Sequence, residues 1–272
     1  MRFHLPRIAL GVALAVAAAG SPLALSTASA ATAASEEYAA LGDSFASGNG
    51  TRNPDLDLGC YRSSDAYGPE IAAERADTTL VFPACGGAVT DDVINTQSAS
   101  LSAGTDWVTV SIGGNDIGFA ELLLNCGGAF DEALCLAKVD EVNGRIDQEL
   151  GPKLDAAYAS IEQGAPNATV ISVGYPRFFG PTLGCLDADG ISATEATALN
   201  GVADNLEAKI AERSRAAAIE HIDPIQEFTG HDVCATSPYL NGKAEFNLAD
   251  AYHPSPEGYR NGFKPLIRAI MG

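Results

Sequence analysis

The sequence is poor in positive charge. It contains 16 Lys and Arg residues against 35 Asp and Glu residues, which gives a formal net charge of −19. A surface of this sign repels nucleic acid and anionic lipid headgroups, so we expect no nucleic-acid partner. The composition favours a soluble protein that acts on neutral molecules, but net charge carries no information about the fold.

Long apolar runs are absent after the first 30 residues, so we expect no stable insertion into a membrane. The N-terminus has two arginines, then an apolar stretch over 8–19, then small residues at 28–30. This order is typical of a secretory signal peptide. We predict that residues 1–30 are removed and that the protein is secreted, with a net charge near −21 because both arginines of that segment are lost.

No C-x-x-C pair occurs among the six cysteines, so we expect no structural zinc site and no other metal. An even number of cysteines in an exported chain favours three disulfides, for which fifteen pairings are possible. Pairing of neighbours along the chain is the simplest of these, and the residues alone leave the choice open. It would join Cys60–Cys85, Cys126–Cys135 and Cys185–Cys234.

Linkers, internal repeats and low-complexity segments are missing as well, which favours a single domain over 31–272. Strands are expected in five short apolar runs, at 38–41, 79–82, 107–112, 168–173 and 218–222. Helical patterns lie between and after them, at 67–75, 131–163, 192–217 and 255–270. Ser192 and Glu195 form a capping box, and the long second helix is expected to break near Gly151 and Pro152.

Apolar strands that alternate with helices are typical of a parallel sheet that is buried on both faces. We therefore predict an α/β protein, a three-layer α/β/α sandwich with about five parallel strands. Ligands of such sheets bind at the carboxyl ends of the strands. Three glycine-bearing turns, "GDSFASG", "CGGAVTDD" and "GGNDIGF", follow the first three predicted strands and should meet at that edge.

Ser44 lies in the first of these turns, where its ordinary role would be to cap a helix. A catalytic serine instead needs a base within hydrogen-bond reach and a group that orients the base. Of the four histidines, His4 belongs to the predicted signal peptide, His221 is expected in the core and His231 in a surface loop. His253 is therefore the candidate base.

Asp250 precedes His253 by three residues in "ADAYHPSPEGY", and the following proline keeps the segment out of a helix. A carboxylate at this spacing can accept a hydrogen bond from the imidazole Nδ1, which leaves Nε2 to take the serine proton. The alternative is a helix N-terminus that Asp250 merely caps. Candidate donors to a reaction oxyanion are the backbone N–H groups of Ser44 and Gly87 and the side-chain amide of Asn115.

Four motifs in this order, carrying Ser44, Gly87, Asn115 and His253, resemble the SGNH (GDSL) hydrolase family. The resemblance extends from residue 38 to residue 259 and is strongest to secreted actinobacterial esterases and lipases, among which phospholipase A1 enzymes occur. It implies a flavodoxin-like fold, the sequential disulfide pairing and no cofactor. The first motif departs from the family name because Phe45 stands in place of leucine.

The resemblance implies a secreted serine ester hydrolase with Ser44, His253 and Asp250 as its triad. In some relatives a backbone carbonyl replaces the acid and orients the histidine, so the role of Asp250 is the part of the triad for which the sequence leaves an alternative. The G-x-S-x-G elbow of α/β-hydrolases is absent. Aromatic residues near the predicted site, together with one arginine, are candidates for a substrate pocket: Phe119, Tyr175, Arg177, Phe178 and Phe179.

The substrate is expected to be an acyl ester or a lipid, and the protein is expected to be a monomer. Phospholipid deacylation and removal of acetyl groups from a polysaccharide are the alternative activities. A carbohydrate-binding or adhesion module that has lost catalysis is the non-enzymatic alternative. Retention of Ser44, Asn115 and His253 argues against that module, since binding alone requires none of them.

Overall fold

A computed structural model describes residues 1–4, 35–128, 131–243 and 247–272. Residues 34–272 form one compact unit, which contains all the elements below. The apolar part and the cleavage site of the predicted signal peptide lie outside the described residues. No helix in the described part of the chain is long and apolar enough to cross a membrane.

Five parallel strands form the central sheet, in the order β2-β1-β3-β4-β5. The strands are β1 Glu36–Gly42, β2 Thr78–Val81, β3 Trp107–Ser111, β4 Thr169–Val173 and β5 Glu220–Ile222. Each overlaps one of the predicted strands. The all-parallel sheet that the alternating sequence pattern predicts is therefore confirmed.

Nine α-helices occur in the described part of the chain. They are α1 Ser44–Ser47, α2 Tyr67–Glu74, α3 Thr90–Asp92, α4 Phe119–Leu124, α5 Glu132–Arg145, α6 Gly151–Gly164, α7 Ala193–Ala216, α8 Ile225–Phe228 and α9 Lys264–Met271. Three π-helical turns supplement them, at Val93–Gln97, Ile146–Leu150 and Gly258–Phe263.

The strand order explains why the helices form two layers. The connection from β1 to β2 runs in one direction across the sheet, whereas the connections from β2 through β5 run in the other. Right-handed crossovers then place α2 on one face and the later connecting helices on the opposite face. Contacts agree with this division, because α2 packs on α9 while α6 packs on α3 and α7.

The break that the sequence predicts near Gly151 and Pro152 is wrong. Helix α5 continues through the π-helical turn Ile146–Leu150 directly into α6. Pro152 occupies the first turn of α6, and the π turn before it has already changed the spacing of the backbone hydrogen bonds. The missing N–H of proline therefore does not end the helical path. The capping box of Ser192 and Glu195 at the start of α7 is confirmed.

The three disulfides have the sequential pairing that the resemblance implies, Cys60–Cys85, Cys126–Cys135 and Cys185–Cys234. The first joins the loop after α1 to the segment that follows β2. The sheet order reverses between β1 and β3, so the segments after these two strands diverge and leave a crevice at their carboxyl ends. Ser44 follows β1 and Asn115 follows β3, which brings two of the predicted site residues to this crevice.

Candidate active site

Ser44 and His253 are in hydrogen-bond contact, although 209 positions separate them in the chain. The serine Oγ lies 2.7 Å from Nε2 of His253, and Nδ1 of the same ring lies 2.8 Å from the carbonyl oxygen of Ala251. A carbonyl oxygen only accepts hydrogen bonds, so Nδ1 carries the hydrogen of the neutral ring. Nε2 therefore presents its lone pair to the serine hydroxyl, which is the arrangement that activates a serine nucleophile.

Helix α1 is capped by Asp43, so Ser44 does not have the capping role that is ordinary for a serine in such a turn. The Asp43 Oδ1 accepts a 2.9 Å hydrogen bond from the Phe45 N–H, while the Ser44 hydroxyl turns toward His253. Because the neighbouring carboxylate satisfies the first turn of the helix, the serine side chain remains available to the crevice.

Gly42, at the end of β1, sets the path of the turn that presents Ser44. Its φ is +125°, and a Cβ at this position would come within 2.2 Å of the Ser111 carbonyl oxygen. The Gln97 side chain holds the same residue through two bonds, accepting from the Gly42 N–H at 2.7 Å and donating to its carbonyl at 2.9 Å. The turn around Ser44, here called the nucleophile turn after its candidate nucleophile, is therefore fixed on two sides.

The loop that carries His253 is fastened to the turn after α1. The Asn241 side chain donates to the carbonyl oxygens of Gly50 and Asp250, at 2.8 Å and 3.2 Å. The backbone N–H of Asn241 donates to the His253 carbonyl at 2.9 Å. This buried amide joins the two segments that form the site, because it binds the turn after α1 and the loop that carries His253.

Asp250 does not contact the imidazole, which corrects the sequence-based expectation. Its Oδ1 accepts from the Gly50 N–H at 2.9 Å and its Oδ2 accepts from the Tyr61 hydroxyl at 2.6 Å. The His253 Nδ1 is already satisfied by the Ala251 carbonyl, so the carboxylate is directed at a different loop. Asp250 is 2% exposed and acts on the ring through its charge and through the loop it secures.

Burial lowers the pKa of His253 to about 4. The hydrogen bond to the Ala251 carbonyl and the negative charge of Asp250 act in the opposite direction, because both favour the protonated ring. The net result is an imidazole that is neutral at physiological pH, as a general base must be.

The three predicted oxyanion donors differ in their surroundings. Ser44 and Asn115 line the same crevice. The Asn115 Nδ2 donates at 3.0 Å to the carbonyl of Ala88, so one of its two hydrogens is used. Gly87 lies beside Ala88 but outside the lining of this crevice. Among the described residues, neither the Ser44 N–H nor the Gly87 N–H has an acceptor, so both remain available to a ligand.

A buried tyrosine connects the nucleophile turn to the turn that carries Asn115. The Tyr175 hydroxyl donates to the Asp43 Oδ2 at 2.6 Å and accepts from the Gly114 N–H at 3.2 Å. Burial raises the pKa of Asp43 to about 7, and the hydrogen bonds from Tyr175 and Phe45 oppose that rise. Tyr175 thus holds together the residues directly before Ser44 and Asn115.

The crevice beside Ser44 encloses about 50 Å³ and has a largely apolar wall. Three of the predicted pocket residues, Phe119, Tyr175 and Phe178, line it. Sequence reasoning missed the other apolar residues of the lining, which are Phe45, Ala120, Leu123, Leu124, Leu248, Ala251 and Tyr252. We call this crevice the acyl cleft, because its wall matches the chemistry of a hydrocarbon chain.

Arg177 and Phe179 lie outside the acyl cleft, so this part of the predicted pocket is wrong. The Arg177 guanidinium is directed outward to Asp204 of α7, with Nε–Oδ1 and Nη2–Oδ2 distances of 2.5 Å and 2.7 Å. Phe179 is buried against Tyr252. The Asn200 side chain binds the backbone of this segment, accepting from the N–H groups of Phe178 and Phe179 and donating to the Phe179 carbonyl.

A second serine–histidine–acid group lies in the core and is not a candidate site. Ser172 Oγ is 2.7 Å from Nδ1 of His221, whose Nε2 contacts Glu207. Burial raises the pKa of Glu207, and its hydrogen bond with His221 opposes the rise. Ser172 is 1% exposed and also contacts Ser214, so a substrate has no access to it. His221 therefore has the core role that the sequence predicts.

A metal site is not found among the described residues, which contain no group of three or more His, Cys, Asp or Glu side chains suited to an ion. The lining of the acyl cleft combines Ser44, His253, the Asn115 amide and the buried Asp43 with largely apolar groups. This set suits acyl transfer through a serine nucleophile and contains all the groups needed to move its proton.

The family and the relatives that the chain matches agree with a site for acyl transfer. Residues 40–260 match the GDSL-like lipase/acylhydrolase family. Lipase 1 of Streptomyces coelicolor is 38% identical over 267 residues, which cover 98% of both chains.

Two solved structures are similar at a TM-score of 0.80. They are an extracellular lipase from Streptomyces rimosus, 34% identical, and a phospholipase A1 from Streptomyces albidoflavus, 35% identical. The matches cover 86% and 87% of this chain, and 99% of each of the other two.

Proposed function

The chain belongs to the GDSL-like lipase/acylhydrolase family and is a carboxylic ester hydrolase, and we propose that Ser44 is its nucleophile and His253 its general base. The observation that carries this assignment is the 2.7 Å contact between Ser44 Oγ and His253 Nε2. The Ala251 carbonyl, rather than Asp250, orients the ring.

In the first half-reaction, Ser44 Oγ attacks the ester carbonyl carbon while its proton passes to His253 Nε2. The carbonyl oxygen becomes an oxyanion, which accepts hydrogen bonds from the Ser44 N–H, the Gly87 N–H and the Asn115 amide. The imidazolium then protonates the leaving alkoxide, and the C–O bond breaks. An alcohol departs and an acyl group remains on Ser44.

In the second half-reaction, His253 takes a proton from water, and the resulting hydroxide attacks the acyl-enzyme carbonyl. The same donors stabilise the second oxyanion. The ring returns its proton to Ser44 Oγ as the carboxylic acid leaves, so the enzyme is regenerated without a cofactor.

The acyl cleft supports a neutral aliphatic ester as the substrate. Its lining brings the aromatic rings of Phe45, Phe119 and Phe178 together, with Phe119 and Phe178 centroids 5.5 Å apart. Apolar surface of this kind favours an aliphatic acyl chain over an acetyl group, because the longer chain covers more of the apolar wall. This chemistry disfavours the polysaccharide acetyl esterase alternative.

Labelling with a fluorophosphonate tests the nucleophile. The wild-type protein should be labelled at one residue, and Ser44→Ala should abolish the labelling. Ser172→Ala is the matched control, because Ser172 also contacts a histidine that contacts an acid, and this variant should label normally. An unlabelled wild type, or a labelled Ser44→Ala, would overturn the assignment.

Phospholipid deacylation is the second candidate, favoured by the similarity to the phospholipase A1 from Streptomyces albidoflavus. We propose glycerides as the first choice, because a chain of net charge −19 offers little attraction to a phosphate. Hydrolysis rates on p-nitrophenyl octanoate, a triglyceride and phosphatidylcholine under equal conditions separate the two. Phosphatidylcholine as the best substrate would favour the phospholipase.

Export is supported by the N-terminal signal pattern and by three disulfides, which persist in oxidising compartments. The similar Streptomyces rimosus protein is described as an extracellular lipase. Sequencing the N-terminus of protein collected from culture medium tests this proposal, with a start near residue 31 expected. Recovery of the chain only inside cells would contradict it.

A further inference from the structure

A second groove lies next to the acyl cleft, on the other side of Asn115 and Ala88. It has a volume of about 430 Å³. Its lining comprises Cys60, Arg62, Pro83, Cys85, Gly86, Gly87, Ala88, Asp92, Thr96 and Gln97. The Asn115 amide lines the acyl cleft and donates at 3.0 Å to the Ala88 carbonyl, so the two cavities share one wall.

Gly87 makes this groove accessible to a reacting ester. It has a φ of +82°, and a Cβ added to it would meet no atom within 4 Å. Its N–H has no acceptor among the described residues. A carbonyl oxygen bound by the Ser44 N–H and the Asn115 amide from one cavity, and by the Gly87 N–H from the other, would lie at the boundary between them.

The position of this boundary indicates which of the two cavities each part of an ester would occupy. The carbonyl carbon carries two substituents besides its oxygen, namely the acyl chain and the alkoxy group. The apolar acyl cleft suits the acyl chain. The alkoxy group then extends across the shared wall, past Gly87 and Ala88, into the second groove.

The lining indicates what kind of alcohol would fit. The Cys60–Cys85 disulfide, Pro83 and Ala88 are apolar, and Thr96 adds a hydroxyl. The cation of the lining, Arg62, is already paired with Asp57 and donates to the Phe82 carbonyl at 3.2 Å.

The anion of the lining is Asp92, whose Oδ2 accepts from the Val89 N–H at 2.9 Å. An anionic headgroup would meet this carboxylate and would find the cation occupied. A neutral alcohol that carries apolar groups matches the lining better.

We propose that this groove binds the alcohol portion of a neutral glyceride and thereby sets the leaving-group selectivity of the enzyme. The proposal rests on the assignment of Ser44 as nucleophile and of Gly87 as an oxyanion donor. Acylation depends on both parts of the ester, whereas hydrolysis of the acyl-enzyme depends on the acyl part alone. Selectivity between alcohols at a constant acyl group is therefore the property that the groove controls.

Thr96→Trp tests the proposal, because Thr96 is an exposed residue of the groove and the indole would narrow it. Asn95→Trp is the matched control, since Asn95 lies on the same π-helical turn but does not line the groove. Tributyrin and methyl butyrate share the butyryl group and differ in the alcohol. Thr96→Trp should lower the tributyrin to methyl butyrate ratio of kcat/KM by about 10-fold or more, and Asn95→Trp should leave it unchanged.

Equal ratios in wild type and Thr96→Trp, or an equal loss in Asn95→Trp, would overturn the proposal. A wild-type preference for dibutyroyl phosphatidylcholine over tributyrin would overturn its commitment to an alcohol without charged groups, because the alcohol part of this lipid carries a negative phosphate and a positive choline. Fluorophosphonate labelling of each variant is run in parallel. If labelling persists after Ser44→Ala, the proposed nucleophile fails, and if labelling is normal while the ratio does not change, only the groove assignment fails.

Discussion

The Nδ1 atom of His253 is bound by the backbone carbonyl of Ala251, two residues earlier in the same loop, at 2.8 Å. The ring is therefore held by its own loop, while the carboxylate of Asp250 fastens that loop to Gly50 and Tyr61. This relationship separates two tasks that one acid performs in a Ser-His-Asp triad: orienting the ring and stabilising its positive charge.

Asp250→Asn is expected to reduce kcat less than His253→Ala does. Loss of the base should lower kcat by about 10⁴-fold or more, as it does when a triad histidine is removed. The amide that replaces the carboxylate would keep an acceptor for one of the two donors and leave the bond from His253 to Ala251 intact. Steady-state kinetics with a p-nitrophenyl ester provide the measurement. A larger loss in Asp250→Asn than in His253→Ala would contradict this account of the ring's support.

On the acid side of the pH profile, kcat/KM should fall with an apparent pKa near 4, well below the ordinary pKa of histidine. This fall is called the acid limb. Burial disfavours the protonated ring, so His253 stays neutral and able to accept the Ser44 proton until the pH falls that far. The negative charge of Asp250 raises this pKa, and Asp250→Asn should therefore move the limb to still lower pH. The pH dependence of kcat/KM for both proteins is the measurement, and a limb near 6.5, the ordinary value for histidine, would contradict it.

Asn115→Ala should lower kcat by roughly 10² to 10³, the usual cost of one oxyanion donor. KM should change little, because the amide acts mainly on the charge that develops in the transition state. Asn167→Ala is the control, since that exposed amide donates to the Ala103 carbonyl away from the cleft. A rise in KM at unchanged kcat would assign Asn115 to substrate binding instead.

Tyr175→Phe should reduce kcat by between about 10-fold and 10²-fold, because a small displacement of reacting groups is costly. The variant removes the bonds to Asp43 and Gly114 and so loosens the spacing between the nucleophile turn and the Asn115 turn. Tyr158→Phe is the matched control, a buried tyrosine that contacts Ser214 away from these turns. If both variants lose stability but neither loses kcat, Tyr175 has only a structural role.

Leu123→Trp should shift acyl preference toward short chains, because Leu123 is 3% exposed and lines the acyl cleft. The octanoate to acetate ratio of kcat/KM for p-nitrophenyl esters should fall by about 10-fold or more. Leu134→Trp is the control, since Leu134 is 71% exposed on α5. An unchanged ratio in Leu123→Trp would place the acyl chain elsewhere.

Much of this protein could be predicted from its sequence, because the relevant signals are local. The strand runs, the capping box at Ser192 and the glycine-bearing turns depend on residues close together in the chain. The order of the parallel strands then brings the turns after β1 and β3 to one crevice, which predicts the proximity of Ser44 and Asn115.

The partners of individual side chains could not be predicted in the same way. Every residue has a carbonyl, so no sequence signal marks that of Ala251 as the group that orients His253. Phe178 lines the acyl cleft whereas its neighbour Phe179 does not, and the backbone of both is held by Asn200, on a distant helix. Gln97 and Asn241, which brace the two halves of the site, stand in no recognisable motif.

The sequence by itself determined the family, the sheet and the chemical groups of the candidate site, since these follow from residue types at fixed spacings. Only the tertiary structure decided what holds the histidine, which side chains form the acyl cleft and where a second groove adjoins it. These depend on backbone direction and on packing between segments as far apart as Ser44 and His253, which no local pattern records.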